Sequence, residues 1–456
     1  MRRYELNPKS FVYLKHNFHS QFMQSYKIKM FLGFSLFIFL IDLYLWQAIK
    51  VLIKNRPVWY QKTIKIIYWL VPFLIIITLF LSQINSTLAA NRLLKTYVMG
   101  FFFILYASKL IAFLFIVVDD IKRFFIWIWH GMERTIFKKN EQAEEEEMEE
   151  ALVSDEKKIS RSEFIARAGL VAGAVPFVML SRGLFSGAYN YQVRRVNLVL
   201  PNLPEAFDGL KVLQISDVHT GSFFDKDAVY KGIQLIKEQK AHVAVFTGDF
   251  VNNKTDEAYE WADMFSEVKA PMGVYSILGN HDYGDYVSDW ASPEAKAKNL
   301  TDLFDVHKNM GWNLLRNEHV LLEKENKRIA ILGVENWGDR GRFQRFGDID
   351  KAKAGMPDVP VKILLSHDPS HFDAIVSKKH TDIDLTLSGH THGFQFGVEF
   401  GSFRWSPSQL IYPHWADLYK IEQQMLYVNR GFGFLGYPGR VGILPEITVF
   451  TLNRMA

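Results

Sequence analysis

The sequence predicts two fold classes in one chain, an all-α membrane region followed by an α/β domain. The first third is dense in Phe, Ile, Leu and Trp, whereas the remainder has the mixed composition of a soluble domain, punctuated by Gly and Asp. Long uncharged runs occur in the first region, and short β-rich runs alternate with helix-compatible stretches in the second. With 456 residues, the chain is also longer than one ordinary domain, which agrees with this division.

Three apolar runs approach the ~20 residues that a helix needs to cross a bilayer. They cover residues 28–47, 66–84 and 97–118. Because a buried helix of a soluble protein seldom has so long an uncharged run, we assign residues 1–135 to a transmembrane helical region with three spans.

Two charged residues interrupt these runs. Asp42 lies in the first run and Lys109 in the third, and a lone charge in hydrocarbon is costly. Because alternate spans run in the same direction, we expect the two side chains to pair inside the helical bundle. Snorkelling of the charges and a role in transport are the alternatives.

The next segment is first charged and then apolar again. Residues 136–163 contain the acidic run "NEQAEEEEMEEALVSDEKK" and are assigned to a solvated linker. Residues 164–188 are apolar and rich in small residues. They are interpreted as a fourth span or as an anchor that lies along the membrane surface.

The distribution of Lys and Arg predicts the orientation in the cytoplasmic membrane. Placing loop 50–65 and segment 122–161 in the cytoplasm gathers more basic residues inside than the reverse, although the basic N-terminal tail opposes this arrangement. If residues 164–188 cross, the soluble domain, residues 195–456, then lies on the periplasmic or extracellular side. If they lie along the surface, that domain stays in the cytoplasm.

Charge and cysteine content exclude several function classes. A net charge of +4, with basic residues concentrated near the apolar runs, fits membrane-flanking charge better than a nucleic-acid surface, so no nucleic-acid partner is expected. The chain has no cysteine, which excludes disulfides, a thiolate nucleophile and Cys-ligated zinc.

Six short apolar runs in the soluble region are predicted as buried strands. They cover residues 211–216, 242–248, 274–280, 328–334, 361–367 and 383–389. Strands covered on both faces imply a layered α/β architecture. Polar side chains follow five of these strands, at the carboxyl ends where open α/β sheets place their sites.

These polar residues are carboxylates, imidazoles and one amide: Asp217, His219, Asp249, Asn280, His281, Asp282, His367, His390 and His392. In "LSGHTHGFQF", residues two apart in an extended segment project to the same side, so both histidines can face one point. Each short motif alone could be a polar turn or a cap. Together, oxygen and imidazole donors suit Mn, Fe, Zn or Co, and their number predicts two metal ions sharing a carboxylate.

The order of the motifs between Asp217 and His392 is Asp-x-His, Gly-Asp, Gly-Asn-His-Asp, His and Gly-His-x-His. This order resembles that of the calcineurin-like metallophosphoesterases, in a membrane-anchored, bacterial-type form. The resemblance implies a four-layer αββα sandwich with helices outside and two mixed sheets within.

The resemblance also implies residue roles. The first ion would be bound by Asp217, His219 and His392. The second ion would be bound by Asn280, His367 and His390, with Asp249 bridging both ions. His281 matches the catalytic histidine of the family, and Asp282 matches the acidic residue that orients it.

The residue types themselves support hydrolytic chemistry. Two carboxylates against two divalent ions leave about two net positive charges, which attract a phosphoryl group and lower the pKa of a shared water toward neutrality. We expect the resulting hydroxide to attack phosphorus in line. Because imidazole titrates near working pH, His281 is suited to donate a proton to the leaving oxygen.

The closing segment contains two arginines among glycines. Arg430 and Arg440 could contact a phosphate oxygen of the substrate, or they could form structural salt bridges. Two loops, residues 396–405 and 432–438, are apolar and aromatic. They are interpreted either as a lipid-facing mouth of the site or as packing beneath a long loop.

We therefore expect an enzyme, a metal-dependent phosphoric ester or diphosphate hydrolase. The expected partners are membrane lipid and a phosphorylated or lipid-linked small molecule. Some family members that resemble this chain cleave the diphosphate of a nucleotide-linked acylated sugar in lipid A synthesis. A sensor or scaffold with a catalytically weak domain is the alternative, and a transporter would rest on Asp42 and Lys109 alone.

Overall fold

The computed structural model describes residues 8–84, 92–137, 161–341, 343–401 and 403–455. The predicted linker at 136–163 lies outside the described residues except at its ends. The chain divides into two compact units, Met1–Met179 and Leu180–Ala456, which we describe in turn.

The first unit is helical. Its helices are α1 (Pro8–Ile53), α2 (Val58–Ile84), α3 (Arg92–Phe137) and α4 (Arg161–Arg182), of which the last residues belong to the second unit. Within the described part of the chain, four segments are long and apolar enough to cross a membrane: Leu32–Ile53, Val58–Thr78, Thr96–Glu133 and Glu163–Gly187. The chain is therefore a multi-pass membrane protein, and the segment at 164–188 is a fourth candidate span.

The two charges predicted to meet in the bundle form an ion pair. Lys109 Nζ lies 2.5 Å from Asp42 Oδ1, and Asp42 is buried. The hydroxyl of Tyr106 donates to the second carboxylate oxygen at 2.8 Å, and that of Tyr68 donates to the Asp42 carbonyl at 2.8 Å. Both tyrosine rings also lie within 5 Å of the ammonium. The pairing prediction is confirmed, and these contacts favour a structural role over transport.

Exchanging the two charges, Asp42→Lys with Lys109→Asp, is expected to preserve the pair. Each single reversal instead places two like charges side by side, and an uncompensated charge near the membrane centre costs about 2.5–3.5 kcal/mol. Thermal melting of the purified protein in detergent compares the three variants. A double variant that melts no higher than the better single variant would show that the pair does not determine stability.

Small residues allow α4 to approach α3 closely. A Cβ added at Gly173 would lie 2.9 Å from the Ala112 side chain and from the Ser108 carbonyl oxygen. A Cβ added at Gly169 would lie 2.8 Å from Ile116. Two glycines four residues apart therefore pack this candidate span against its neighbour, as small residues do in many membrane helix pairs.

The second unit is an α/β domain with fourteen strands among its described residues. They are β1 (Gln192–Leu200), β2 (Leu210–Ile215), β3 (Val243–Phe246), β4 (Val274–Ser276), β5 (Asn313–Leu314), β6 (Glu318–Lys324), β7 (Lys327–Gly333), β8 (Lys362–Leu365), β9 (Leu385–Ser388), β10 (Val398–Phe400), β11 (Phe403–Trp405), β12 (Asp417–Ile421), β13 (Gln424–Val428) and β14 (Glu446–Arg454). The helices are α5 (Lys226–Glu238), α6 (Asp256–Tyr259), α7 (Ala262–Phe265), α8 (Pro293–Asn309), α9 (Ile349–Lys353) and α10 (Ser377–Lys379).

Twelve of these strands form two mixed sheets of six. The first sheet has the order β1-β14-β2-β3-β4-β5, and the second has the order β12-β13-β9-β8-β7-β6. In each sheet the central strands run parallel and antiparallel pairs join nearer the edges, β14 with β2 in the first and β7 with β6 in the second. The remaining strands, β10 and β11, form a separate antiparallel hairpin.

Side chains alternate between two cores, as the pleat of a buried strand requires. In β3, Val243 and Val245 pack between the two sheets, while Phe246 packs beneath the helices outside the first sheet. In β7, Ile331 packs between the sheets and Leu332 packs against the outer layer of the second sheet. Two sheets with a shared core and an outer helical layer on each side form the expected four-layer sandwich.

All six strands predicted from apolar runs are present, as β2, β3, β4, β7, β8 and β9. The strands that were not predicted include β1, β13 and β14. Strand β1 carries polar residues on its exposed face, and β13 and β14 lie in the glycine-rich closing segment, where the sequence shows no regular alternation.

Candidate metal centre

The carboxyl ends of strands from both sheets meet at one place. Asp217 and His219 follow β2, Asp249 follows β3 and Asn280 follows β4, all in the first sheet. His367 follows β8, and His390 and His392 follow β9, in the second sheet. The main-chain N–H of His390 donates to Asp217 at 2.9 Å, so the two sheets are also joined directly at this point.

A first group of donors consists of Asp217, His219 and His392. Their candidate ligand atoms all lie within 4.8 Å of one another, and all three residues are buried. Nε2 of His219 lies 3.0 Å from Nε2 of His392, which lies 3.3 Å from Asp217 Oδ1. Three buried donors therefore face one small volume.

A second group consists of Asp249, His367 and His390. His367 Nε2 lies 3.1 Å from Asp249 Oδ2 and 3.3 Å from His390 Nδ1. The amide oxygen of Asn280 lies 2.8 Å from the same His390 nitrogen, because the Asn280 Nδ2 group donates to the Tyr286 hydroxyl at 2.7 Å. Tyr286 thus turns the amide so that its oxygen, the atom that could bind a metal, faces the group.

Asp249 lies between the two groups. Its Oδ2 is 3.1 Å from His367 in the second group and 3.6 Å from His219 in the first. Its other oxygen accepts a hydrogen bond from the main-chain N–H of His281 at 2.8 Å. A carboxylate held in this position can bridge two ions, which is the role that the family resemblance implies for it.

The backbone is strained at the donor residues. Five of them have positive φ in the left-handed region: Asp217, His219, Asp249, His390 and His392. Each such conformation costs of order 1–3 kcal/mol outside glycine and persists where surrounding structure fixes it, often at functional sites. Because this strain lowers stability and is concentrated at the donor residues, it indicates that the loop conformations serve a functional site.

Burial keeps most of the imidazoles in the form that binds metal. It lowers the pKa of His219 to about 3 and lowers the pKa values of His390 and His392 as well. A neutral imidazole offers a lone pair to an ion. For His367 burial acts in the same direction, but the adjacent Asp249 carboxylate outweighs it and raises the pKa to about 10. Metal binding there must release a proton, since only the deprotonated ring can be a ligand.

Outer contacts fix which nitrogen of each ring faces the groups. Nδ1 of His367 lies 2.7 Å from the Thr247 carbonyl, and Nε2 of His390 lies 2.8 Å from the Tyr412 hydroxyl. Hydrogen bonds to the remote ring nitrogen orient metal-binding histidines in this way. The sequence analysis missed Tyr412 and Tyr286, because an isolated tyrosine outside the strand-end motifs carries no signal of its own.

The structure places His281 beside both groups, but Asp282 does not orient it. Nδ1 of His281 lies 2.6 Å from the Asn252 carbonyl, and its ring stacks on Tyr286 with centroids 4.3 Å apart. The carboxylate of Asp282 accepts hydrogen bonds from four main-chain N–H groups, those of Asp249, Phe250, Val251 and Gly279. Asp282 therefore fixes the two loops that carry Asp249 and Asn280.

The two arginines considered for substrate binding are both buried. Arg430 pairs with three carboxylates, those of Glu399, Asp417 and Glu446, at 2.5, 2.7 and 2.6 Å. Arg440 donates to main-chain carbonyls, including that of Gly433 at 2.6 Å, and its Nη2 lies 3.1 Å from Nδ1 of His392. Arg430 therefore forms structural salt bridges, the alternative to substrate binding. Arg440 instead supports the loop that carries His392.

The donor set fits two divalent ions. Two buried imidazole nitrogens only 3.0 Å apart, both kept neutral by burial, repel each other unless a cation or a proton lies between them. The first group offers one carboxylate and two imidazoles, and the second offers one carboxylate, two imidazoles and an amide oxygen. Such mixed oxygen and nitrogen sets suit Mn, Fe, Zn or Co, and they place Asp249 at the point that the two ions would share.

Comparison with known proteins identifies both units. Residues 27–188 match a family described as "Probable Calcineurin-like phosphoesterase, transmembrane domain", and residues 210–394 match "Calcineurin-like phosphoesterase". The "Uncharacterized metallophosphoesterase YkuE" of Bacillus subtilis (strain 168) is 32% identical over 55% of this chain and 82% of its own length. The "Transmembrane protein with metallophosphoesterase domain" of Danio rerio is 28% identical over 63% of each chain, so this chain covers less than two thirds of that relative.

Among solved structures, TT1561 of Thermus thermophilus is 15% identical with a TM-score of 0.31, covering 51% of this chain and 90% of its own. The names of these relatives specify no substrate, and the expectation of a role in lipid A synthesis gains no support from them. The level of identity to the Bacillus protein over most of its length, together with the two matched families, shows that this chain belongs to the calcineurin-like metallophosphoesterases and carries a transmembrane region ahead of the metallophosphoesterase domain.

Proposed function

We propose that the protein is a membrane-anchored, dinuclear metal-dependent phosphoesterase that hydrolyses a phosphoester or diphosphate bond. The observation that carries the proposal is the position of Asp249, with one buried His/Asp group on each side and its Oδ2 within 3.6 Å of an imidazole of both. Two ions held by these groups would supply a positive field for phosphoryl oxygens and activate the attacking water.

The protein itself supplies the proton donor and its orientation. Nδ1–H of His281 donates to the Asn252 carbonyl, so in the imidazolium form Nε2 carries the proton that would pass to the leaving oxygen, which leaves the ring neutral. The stacked ring of Tyr286 limits rotation of the imidazole. Asp282 stabilises the loop geometry by accepting four main-chain hydrogen bonds, so His281 is presented without reorganisation of the backbone.

We propose an amphipathic substrate, such as a lipid-linked diphosphate. Attachment of the domain to four candidate spans keeps it at a bilayer, where amphipathic phosphoesters are concentrated. The test is hydrolysis by the full-length protein in detergent, loaded in turn with Mn, Fe, Zn or Co, of phosphomonoesters, phosphodiesters and lipid-linked diphosphates. Turnover with at least one metal is expected. Complete inactivity with both ions bound would favour the sensor or scaffold alternative.

We further propose that the metallophosphoesterase domain lies outside the cytoplasmic membrane. Four crossings leave both chain ends on one side, and loop 50–65 with segment 122–161 then places more Lys and Arg in the cytoplasm than the opposite arrangement does.

A reporter fused after Ala456 tests this orientation. An alkaline phosphatase fusion, which requires export for activity, is expected to be active. The matched fusion of a reporter that functions only in the cytoplasm is expected to be inactive. The reverse pair of results would place the domain in the cytoplasm and leave the metal chemistry unchanged.

A further inference from the structure

The β10–β11 hairpin of the domain exposes its apolar face and turns its charged face inward, the opposite of the usual arrangement in a soluble protein. Its register pairs Val398 with Trp405, Glu399 with Arg404, and Phe400 with Phe403. Side chains of a strand alternate between two faces, so the apolar residues share one face and the two charged residues share the other.

The apolar face is the exposed one. Phe400 is 83% exposed and Phe403 is 61% exposed, and Val398 and Trp405 are also exposed. Large aromatic side chains grouped on one exposed surface are uncommon in proteins that contact water alone and mark an interaction site.

The charged face is turned inward, where it takes part in an ion network. Glu399 pairs with Arg430 and with Arg194, each at 2.5 Å, and Arg404 pairs with Asp417. Arg430 is fully buried and its partners in the network are largely shielded from water, and removing a partner from a buried charge is costly. The network therefore fixes which face of the hairpin points out, and the aromatic residues cannot turn inward without breaking it.

The base of the hairpin lies near residues 180–187, the part of the fourth candidate span that belongs to the second unit. That span runs to Gly187, and within the domain the Gly183 carbonyl accepts a hydrogen bond from Arg440 N at 3.3 Å. The next residue, Val441, accepts from Gly397 N at 2.9 Å, directly before β10. Two consecutive residues thus join the end of the span to the start of the hairpin.

We propose that the exposed aromatic face of the hairpin, formed by Val398, Phe400, Phe403 and Trp405, contacts the lipid surface of the bilayer. Seven residues after the hairpin ends, the hydroxyl of Tyr412 contacts the candidate metal ligand His390, so the segment that follows the hairpin reaches the metal centre. Lipid contact at the hairpin brings that centre to the membrane–water boundary. If the protein has the proposed function, its substrate then enters the site from the lipid phase. This consequence rests on the proposed function.

The absence of cysteine from the chain allows a direct test in the full-length protein. A nitroxide is attached at Phe400→Cys, and at Tyr259→Cys as a control on an exposed residue of the same domain, and each protein is reconstituted in phosphatidylcholine vesicles. The label at position 400 is expected to collide more with oxygen than with a water-soluble nickel chelate, and the label at 259 is expected to show the opposite. Equal collision ratios at the two positions would overturn the proposal.

Dilution to one chain per vesicle separates lipid from a second copy of the chain. The apolar environment at position 400 is expected to persist, and its loss on dilution would show that another copy covers the hairpin. This measurement needs no catalysis, so it stands even if no substrate is hydrolysed.

A functional readout uses Phe400→Asp combined with Phe403→Asp. Hydrolysis of a vesicle-embedded phosphoester is expected to fall at least about tenfold, the change in surface affinity that burying one Phe side chain supplies. Hydrolysis of a water-soluble phosphodiester is expected to stay unchanged. An equal loss on both substrates would show that the hairpin acts on the metal centre and not on lipid.

Discussion

Replacing Asp249 with Asn is expected to abolish hydrolysis and to release both metal ions. The carboxylate lies within 3.6 Å of an imidazole in each donor group, and a neutral amide removes the negative charge that both ions would share. The loss of metal affinity should exceed the ~10–100-fold that removal of an outer-shell partner costs. Elemental analysis of the purified full-length variant measures the result, and two tightly bound ions in Asp249→Asn would contradict the bridging assignment.

The matched control is His281→Ala. This imidazole contacts the Asn252 carbonyl and Tyr286 and belongs to neither donor group. The variant is therefore expected to keep both ions and to lose turnover by about 10²–10⁴-fold, the usual contribution of a positioned acid or base. Loss of metal in His281→Ala would show that the ring supports the ions themselves.

Replacing Arg430 with Met is expected to lower the free energy of unfolding of the domain by about 3–5 kcal/mol, the cost of removing one partner from a buried ion network. The guanidinium pairs with three carboxylates, and the side chains of Arg430 and Glu446 are both fully buried. Without it, Arg194, whose Nε lies 3.3 Å away, is the one cation among the described residues that still pairs with Glu446, and the neutral donors Tyr427, Asn429 and Thr448 do not replace the lost charge. Thermal or urea unfolding of the purified protein measures the change.

Arg328→Met provides the comparison. Arg328 pairs with Glu323 at 2.6 Å, but both side chains are more than half exposed, and such surface pairs contribute about 0–1 kcal/mol. A melting temperature of Arg430→Met equal to that of Arg328→Met, accompanied by a raised KM, would instead indicate that Arg430 contacts substrate. The substrate-binding prediction and the structural interpretation are thus separated by one pair of variants.

Several features of the site could be predicted because they depend on residue type and local pattern. The strands that carry Asp217, Asp249 and His367 are short apolar runs, and the polar residue at each carboxyl end is visible in the sequence. Parallel strands bring such ends to one edge of each sheet, so convergence within a sheet follows from pattern alone, whereas the meeting of the two sheets at this edge depends on tertiary packing. The pairing of Asp42 with Lys109 could be predicted for a similar reason, since lipid penalises either charge alone.

Other features depend on contacts between segments distant in sequence. Asp282 follows His281 directly, yet its carboxylate binds the loop after β3, because the turn at Asn280–Tyr283 directs neighbouring side chains differently. Sequence proximity gave no information about that direction.

By itself, the sequence determined the membrane region, the positions of six core strands along the chain and the set of possible metal ligands, because hydrophobic length, alternation and side-chain chemistry are local properties. Only the tertiary structure decided that Arg430 is buried among Glu399, Asp417 and Glu446, and that the aromatic face of the β10–β11 hairpin points outward. The physical reason is that a strand's alternation defines two faces but not which one is buried. That choice is made by the ion network, whose members come together only when β1, β12 and β14 are in place.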